Sequence, residues 1–318
     1  MLDLINMSNN YWKNKKILVT GGSGFIGSNL VEKLGFLEPK EIRVPLKKEA
    51  DLTSYKDCQA ITENIDVVIH LAANIGGINY LNLYPAEIFD DNILMASNLI
   101  RASKASGVKK LVNLGSSYIY PENARRPLTE DQVWNGLPCR SGMFYGLAKR
   151  TVLSQMLAYR DQYAFNSIFL IPVSIYGPGD NFDKKEAKVI PSLITKFIEA
   201  QKQQITPVEI WGTGKASRDF LYISDLIDGI ILATERYNES LPLNLASGEN
   251  VSISKLAFLL KKLTNYQGEV TWDSTKPEGI LSSKVSTRLA EKKIGFKAKI
   301  SLKEGLIKTI NWYLNKYT

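Results

Sequence analysis

Histidine is almost missing from this chain. His70 is the single one in 318 residues, which excludes a metal centre built from several imidazoles. Cysteine is nearly as scarce. Cys58 and Cys139 stand in no metal-ligand spacing, and two cysteines in a chain of this length suit a reducing compartment and argue against a disulfide framework. No apolar run approaches the ~20 residues that a membrane helix needs. The polar, Asn-rich opening from Met1 to Lys16 also lacks the apolar core of a secretion signal. The expectation is a cytoplasmic protein with no membrane partner. Internal repeats and low-complexity blocks are absent as well.

What is present is ordinary for a globular chain, with 44% hydrophobic and 23% charged residues. The length suffices for one large domain or two modest ones. Net charge is +8, but the lysines are interspersed with acids, as in Glu291-Lys292-Lys293, rather than gathered in a stripe. That distribution argues against nucleic acid and for a solvated surface that attracts anionic ligands such as nucleotides.

Residues 1–15 read as a flexible arm. Ile17-Leu18-Val19-Thr20 is a buried strand, and Gly21, Gly24 and Gly27 follow it at G-x-x-G-x-x-G spacing with Phe25 and Ile26 between. Helical periodicity then begins near Ser28. Strand, glycine loop and helix in that order form a dinucleotide site: the glycines let backbone approach a pyrophosphate at the helix N-terminus. The second strand, Glu41 to Val44, lacks the terminal acid of a simple NAD site. It carries Arg43 and runs on to Lys47 and Lys48, which favours the 2′-phosphate of NADP(H), with NAD(H) the alternative. Asp51 and Leu52 fall near the adenine. A third strand, Asp66 to Ala73, ends in Leu71, Ala72 and Ala73, small enough at its tip to admit a cofactor. His70, inside it, reads as a packed residue. Asn74 to Tyr84 reads as a loop, Pro85 to Ser106 as a long helix, Val108 to Leu114 as the fourth strand, and Asn166 to Pro172 as the fifth. The fold class is therefore α/β, a Rossmann-type doubly wound parallel sheet over 16–175. Residues 176–318 form mainly a smaller α/β substrate lobe, from which a strand near Leu243 returns to the main sheet.

Between the fourth and fifth strands lie Ser116 and a helix from Phe144 that carries Tyr145 and Lys149. Four residues apart, these two share a helix face. An ammonium near a phenol lowers the phenol pKa, and Ser116 at a strand end can orient a carbonyl against it. Together they form a proton donor and acceptor for hydride chemistry at a C–OH/C=O centre.

These motifs are collinear with a known family. Val19 to Gly27, Leu71-Ala72-Ala73 with Gly76-Gly77, Gly115-Ser116-Ser117, Tyr145 with Lys149, Tyr176-Gly177-Pro178, Val189-Ile190-Pro191, Trp211 to Gly214 and Arg218-Asp219-Phe220 match in order. Over residues 17–318 the chain resembles the extended short-chain dehydrogenase/reductases of the NAD-dependent epimerase/dehydratase family, and most of all the epimerase-reductase branch that makes GDP-L-fucose. The resemblance implies that Tyr145 exchanges the proton at the sugar C4 oxygen and that Lys149 holds the nicotinamide ribose. It implies a nucleotide-diphospho-sugar substrate touched by Ser117, Tyr118, Asn181, Lys188, Val189, Lys196, Trp211, Arg218 and Lys276. Arg218 would grip the diphosphate. A homodimer is also implied.

The chain departs from that branch at several positions. Tyr118 replaces the cysteine, and Lys188 the histidine, of the pair that epimerises C3 and C5. An ordinary phenol and ammonium are both protonated at neutral pH and so are not ready bases. Ser174 replaces an asparagine, Lys196 stands at an arginine position, and Ser282 and Ser283 stand where arginines often follow the Lys276-Pro277 turn. The expected activity is NADPH-dependent C4 reduction of a GDP-linked 4-keto-6-deoxy sugar without full 3,5-epimerisation. The alternatives are the complete epimerase-reductase, an epimerase or dehydratase with tightly held NAD(P), and a binding or assembly protein of weakened catalysis.

Overall fold

The computed structural model describes residues 11–183, 186–276 and 281–317. The first strand, β1 (Lys16–Thr20), is buried along Ile17 to Thr20 and leads through the glycine loop into α1 (Phe25–Gly35), which turns Leu30 and Leu34 into the core. β2 (Glu41–Arg43), α2 (Tyr55–Thr62) and β3 (Val67–His70) follow. Next come a short α3 (Ile78–Leu83), a long α4 (Pro85–Ala105) and β4 (Lys110–Leu114). Proline in the first turn starts α4, and Gly107, at φ +74°, turns the chain after it.

A long arm then leads to α5 (Met143–Tyr163) and β5 (Ser167–Pro172). The remaining chain forms β6 (Ser174–Tyr176), α6 (Val189–Gln203), β7 (Val208–Trp211), β8 (Ser217–Arg218) and β9 (Phe220–Tyr222). It continues through α7 (Ile223–Arg236), β10 (Leu243–Leu245), β11 (Val251–Ser252), α8 (Ile253–Leu263), β12 (Val270–Asp273), α9 (Arg288–Ile294) and α10 (Leu302–Tyr317).

Six strands build the main sheet in the order β10-β5-β4-β3-β1-β2, every neighbouring pair parallel. The order reverses between β1 and β3, so the crevice for a ligand lies at their C-terminal ends. Leu243 of β10 pairs with Leu170, so this strand does return to the main sheet. The rest of the C-terminal chain forms small two-stranded pairs: β6 with β9, β7 with β12 and β8 with β11. One continuous apolar core runs from Trp12 to Tyr313 through both regions. No helix among the described residues is long and apolar enough to cross a membrane.

Three expectations need correction. Residues 11–15 are not a loose arm. Trp12 is fully buried and its indole Nε1 donates to Glu235 Oε1 at 2.6 Å, while Lys13 bridges Pro39. The loop read over 74–84 contains α3, and the strand read over Arg218–Ile223 is broken into β8 and β9. Residues 277–279 of the Lys276–Gly279 turn lie outside the described residues.

Candidate active site

The glycine loop has no room for a side chain at Gly21 or Gly27. A Cβ on Gly27 would lie 2.1 Å from the Gly21 carbonyl oxygen, and one on Gly21, at φ +71°, 2.7 Å from the Ala72 nitrogen. Gly24 caps α1 without a side chain, which leaves the amides of Phe25, Ile26 and Gly27 without partners from a capping side chain. Leu71, Ala72 and Ala73 continue past β3 beside the loop, all partly exposed, with the Leu71 amide on the Thr20 carbonyl at 3.1 Å. Pro172 ends β5 opposite Leu245. Strand ends, small residues and a bare helix N-terminus fit a dinucleotide pyrophosphate. His70 is packed below: it meets Thr20 Oγ1 at 2.7 Å, and burial, helped by Lys149, pushes its imidazole down to about 3.

The adenosine end differs from the sequence reading. Arg43 donates to Glu41 at 2.8 and 3.0 Å and to the carbonyls of Ile61 and Glu63, so its guanidinium is engaged between β2 and the end of α2. Lys47, by contrast, is exposed. Asp51 is engaged in its own turn, where Thr53 N–H and O–H donors hold its carboxyl below the usual range. The Leu52 carbonyl accepts from Asn98.

The proton-transfer set assembles at the end of β4. Tyr145 and Lys149 lie on the buried face of α5, and Ser116, whose Oγ accepts from the Tyr118 amide at 3.3 Å, lies near enough to the Tyr145 phenol to pull its pKa down. Lys149 Nζ donates to the Leu114 carbonyl at 3.2 Å and sits 5.6 Å from the Tyr145 ring centroid. Burial brings Lys149 down to about 8. The expected fall of the Tyr145 pKa is reversed: burial first, then Tyr118, push the phenol well up, and only the nearby Ser116 opposes them. Tyr118 packs edge-on against Tyr145, with centroids 5.9 Å apart. It fits because Gly142, at φ +98°, and Gly146 have no side chains: a Cβ on the first would meet the Tyr118 ring at 2.7 Å. Burial raises the Tyr118 phenol too, against the pull of Arg218.

Beside this set opens a cavity of about 400 Å³, the size of a small-molecule site. Ser116, Ser117, Tyr118, Lys188, Val189, Lys196, Trp211 and Arg218 all line it. Three cations and the N-terminus of α6 therefore face one space, which suits a diphosphate. Lys196 and Lys276 hold their ammonium groups 6.0 and 5.9 Å from the Trp211 ring. Arg218 Nη1 donates to the Ser217 carbonyl at 2.9 Å, and the neighbouring Asp219 carboxylate accepts from Ser247 N, Ser247 Oγ and Gly248 N at 2.7–2.9 Å. Asn181 does not join the cavity. It is exposed, its Nδ2 donates to Glu186, and its Oδ1 accepts from the Asp183 amide. Sequence reasoning missed Asn79, which lines the cavity from α3, and Arg126 and Ser141 of the arm. Only the glycine pair at 76–77 pointed toward α3.

The model of the NAD dependent epimerase/dehydratase family matches residues 17–246. The chain belongs to that family. Among its relatives, a probable GDP-L-fucose synthase 1 of Oryza sativa subsp. japonica is 36% identical over 306 residues, covering 95% of this chain and 93% of that one. Among solved structures, a GDP-6-OMe-4-keto-L-xylo-heptose reductase from C. jejuni superposes with a TM-score of 0.88 at 27% identity, over 95% of this chain and 98% of that one. A GDP-mannoheptose C4 reductase from Campylobacter jejuni with NADP bound gives 0.84 at 28% identity, over 95% and 98%. These two reductases share the fold over nearly the whole chain, and the chain takes a nicotinamide cofactor.

Proposed function

We propose that this protein reduces the C4 ketone of a GDP-linked 4-keto-6-deoxy sugar with NADPH, without full epimerisation at C3 and C5. The observation that carries the reading is the Ser116–Tyr145–Lys149 set beside a cavity lined by three cations. The amides at the start of α1 would hold the pyrophosphate where Gly21 packs against Ala72, and the exposed Lys47 would meet a 2′-phosphate. When bound, the nicotinamide supplies the hydride. Ser116 and Tyr145 orient the carbonyl oxygen and Tyr145 gives it a proton. Burial keeps the Tyr145 phenol protonated, the form that a reduction consumes. Lys149 holds positive charge beside the phenolate that remains. Lys188, Lys196 and Arg218 bind the diphosphate, and Trp211 offers an aromatic face at the cavity wall.

The fucose-synthase relatives favour a second reading, a complete epimerase-reductase. Epimerisation needs a base at the carbons flanking the ketone. Tyr118 is pushed up by burial, further from that role. Mixing the protein with NADPH and GDP-4-keto-6-deoxymannose in D₂O tests both readings. Nicotinamide absorbance should fall, and Tyr145→Phe should slow the fall by about 10²-fold or more. Product with hydrogen retained at C3 and C5 fits reduction alone; deuterium at both carbons restores the epimerase reading. Flat absorbance rejects both.

A further inference from the structure

The large cavity continues into a second chamber of about 60 Å³ that shares Ser117, Tyr118, Ser174 and Arg218 with it. Arg126, Ser282 and Ser283 line only the chamber, beside the apolar Pro121 and Leu128, and Ile78 lies on both. Its outer wall is built into the fold. The Ser217 amide donates to Leu281 O at 2.9 Å, Ser283 N to Ser217 O at 3.2 Å, and Leu128 N to Lys284 O at 2.9 Å. Residues 281–284 are therefore laced between β8 and the arm before α5. Arg126 Nε fastens the same segment through the Ser282 carbonyl at 3.1 Å.

Four of the lining residues are positions at which the sequence departs from the fucose branch: Tyr118, Ser174, Ser282 and Ser283. They come from segments far apart in the chain and meet in one place, beside Ser116. Serine where arginine is usual removes most of a long side chain, leaves space, and lines that space with a hydroxyl. At ~10–15 Å³ for a water-sized group, the chamber holds several such groups, enough for a short hydroxylated chain. Ser283 Oγ donates to Ser217 O and Ser282 Oγ accepts from Asn250 Nδ2, so each hydroxyl keeps capacity for one further bond, which a substrate hydroxyl can meet and a methyl group cannot.

We propose that this chamber receives an oxygen-bearing exocyclic chain of the sugar, so that the substrate is a nucleotide-linked 4-keto sugar extended beyond the methyl end of a 6-deoxyhexose. This rests on the reductase reading and specifies its substrate. Two GDP-linked 4-keto-6-deoxy sugars test it: the manno-hexose, which ends in methyl, and the manno-heptose, one carbon longer and ending in hydroxyl. With NADPH, kcat/KM should favour the heptose by about tenfold or more. Ser283→Val, checked for folding by circular dichroism, should bring the ratio down toward one. Equal rates, or preference for the hexose, overturn the proposal. Should neither ketone oxidise NADPH, the reductase reading fails by itself. Calorimetric titration of the protein with NADP⁺ and the two reduced GDP-sugars then decides the chamber: tighter heptose binding supports it, and equal binding overturns it.

Discussion

Lys149 and Tyr145 are pushed by the same burial in opposite chemical directions. The lysine comes down to about 8 and the tyrosine goes up. Burial penalises whichever form is charged, so it disfavours both ammonium and phenolate. For a reduction, the phenol must start protonated and the ammonium must stay charged. The first condition holds throughout the neutral range. The second fails as pH rises through about 8, where Lys149 loses its proton. The expected kcat/KM profile is therefore flat near neutrality and falls above about pH 8. Lys149→Arg keeps the charge to far higher pH, so its residual activity should lack that alkaline limb. A limb unchanged in Lys149→Arg would assign it to another group. Of this chemistry the sequence displays the residues but not the direction of the phenol shift. Four-residue spacing places Lys149 near Tyr145, but only the packed Tyr118 ring reveals how little solvent the pair retains. Arg43 is a similar case. Its sequence position suggests a phosphate ligand, and only the structure shows Glu41 and the carbonyls at the end of α2 accepting from it.

At the scale of elements, the long periodic helices and the buried strands are legible because each satisfies its own hydrogen bonds and hides one apolar face. The two-residue strands β8 and β11 are not, since they are defined by their pairing to each other and by the segment from Leu281. α3 has six residues and begins at Gly77 without a side-chain cap, so nothing local announces it. One helix end depends on a residue far away in sequence. Lys110, at the start of β4, donates from Nζ to the carbonyls of Thr234 and Tyr237 at 2.5 and 2.6 Å and to Asn238 Oδ1 at 3.0 Å, at the C-terminal end of α7. A cation at that end complements the helix dipole and satisfies carbonyls that the helix leaves open. Lys110→Met should leave those acceptors buried and unmet, costing about 1–3 kcal/mol. A thermal melt would register the loss, and an unchanged midpoint would show that the capping contributes nothing.

At the scale of the whole molecule, the expected division into a cofactor domain and a substrate lobe leaves out how the two regions depend on each other mechanically. Trp12 seals against Glu235 of α7, Tyr120 Oη donates to Asn244 Oδ1 at 2.6 Å, and Asp219 ties β9 to the turn after β10. A fragment ending at residue 175 retains the glycine loop, Ser116, Tyr145 and Lys149, yet lacks these partners. It should bind NADPH poorly and elute as aggregate in size-exclusion chromatography, whereas a monodisperse fragment that binds NADPH would show the two regions to be separable. The cause is a single strand. Until Leu243–Leu245 arrives, β5 is an open rim whose amides and carbonyls can pair with any extended chain nearby. During synthesis, the ribosome must add some seventy residues after β5 before that rim closes. This interval is when the nascent protein is most open to mispairing, and when a chaperone that shields strand edges would matter most to its yield.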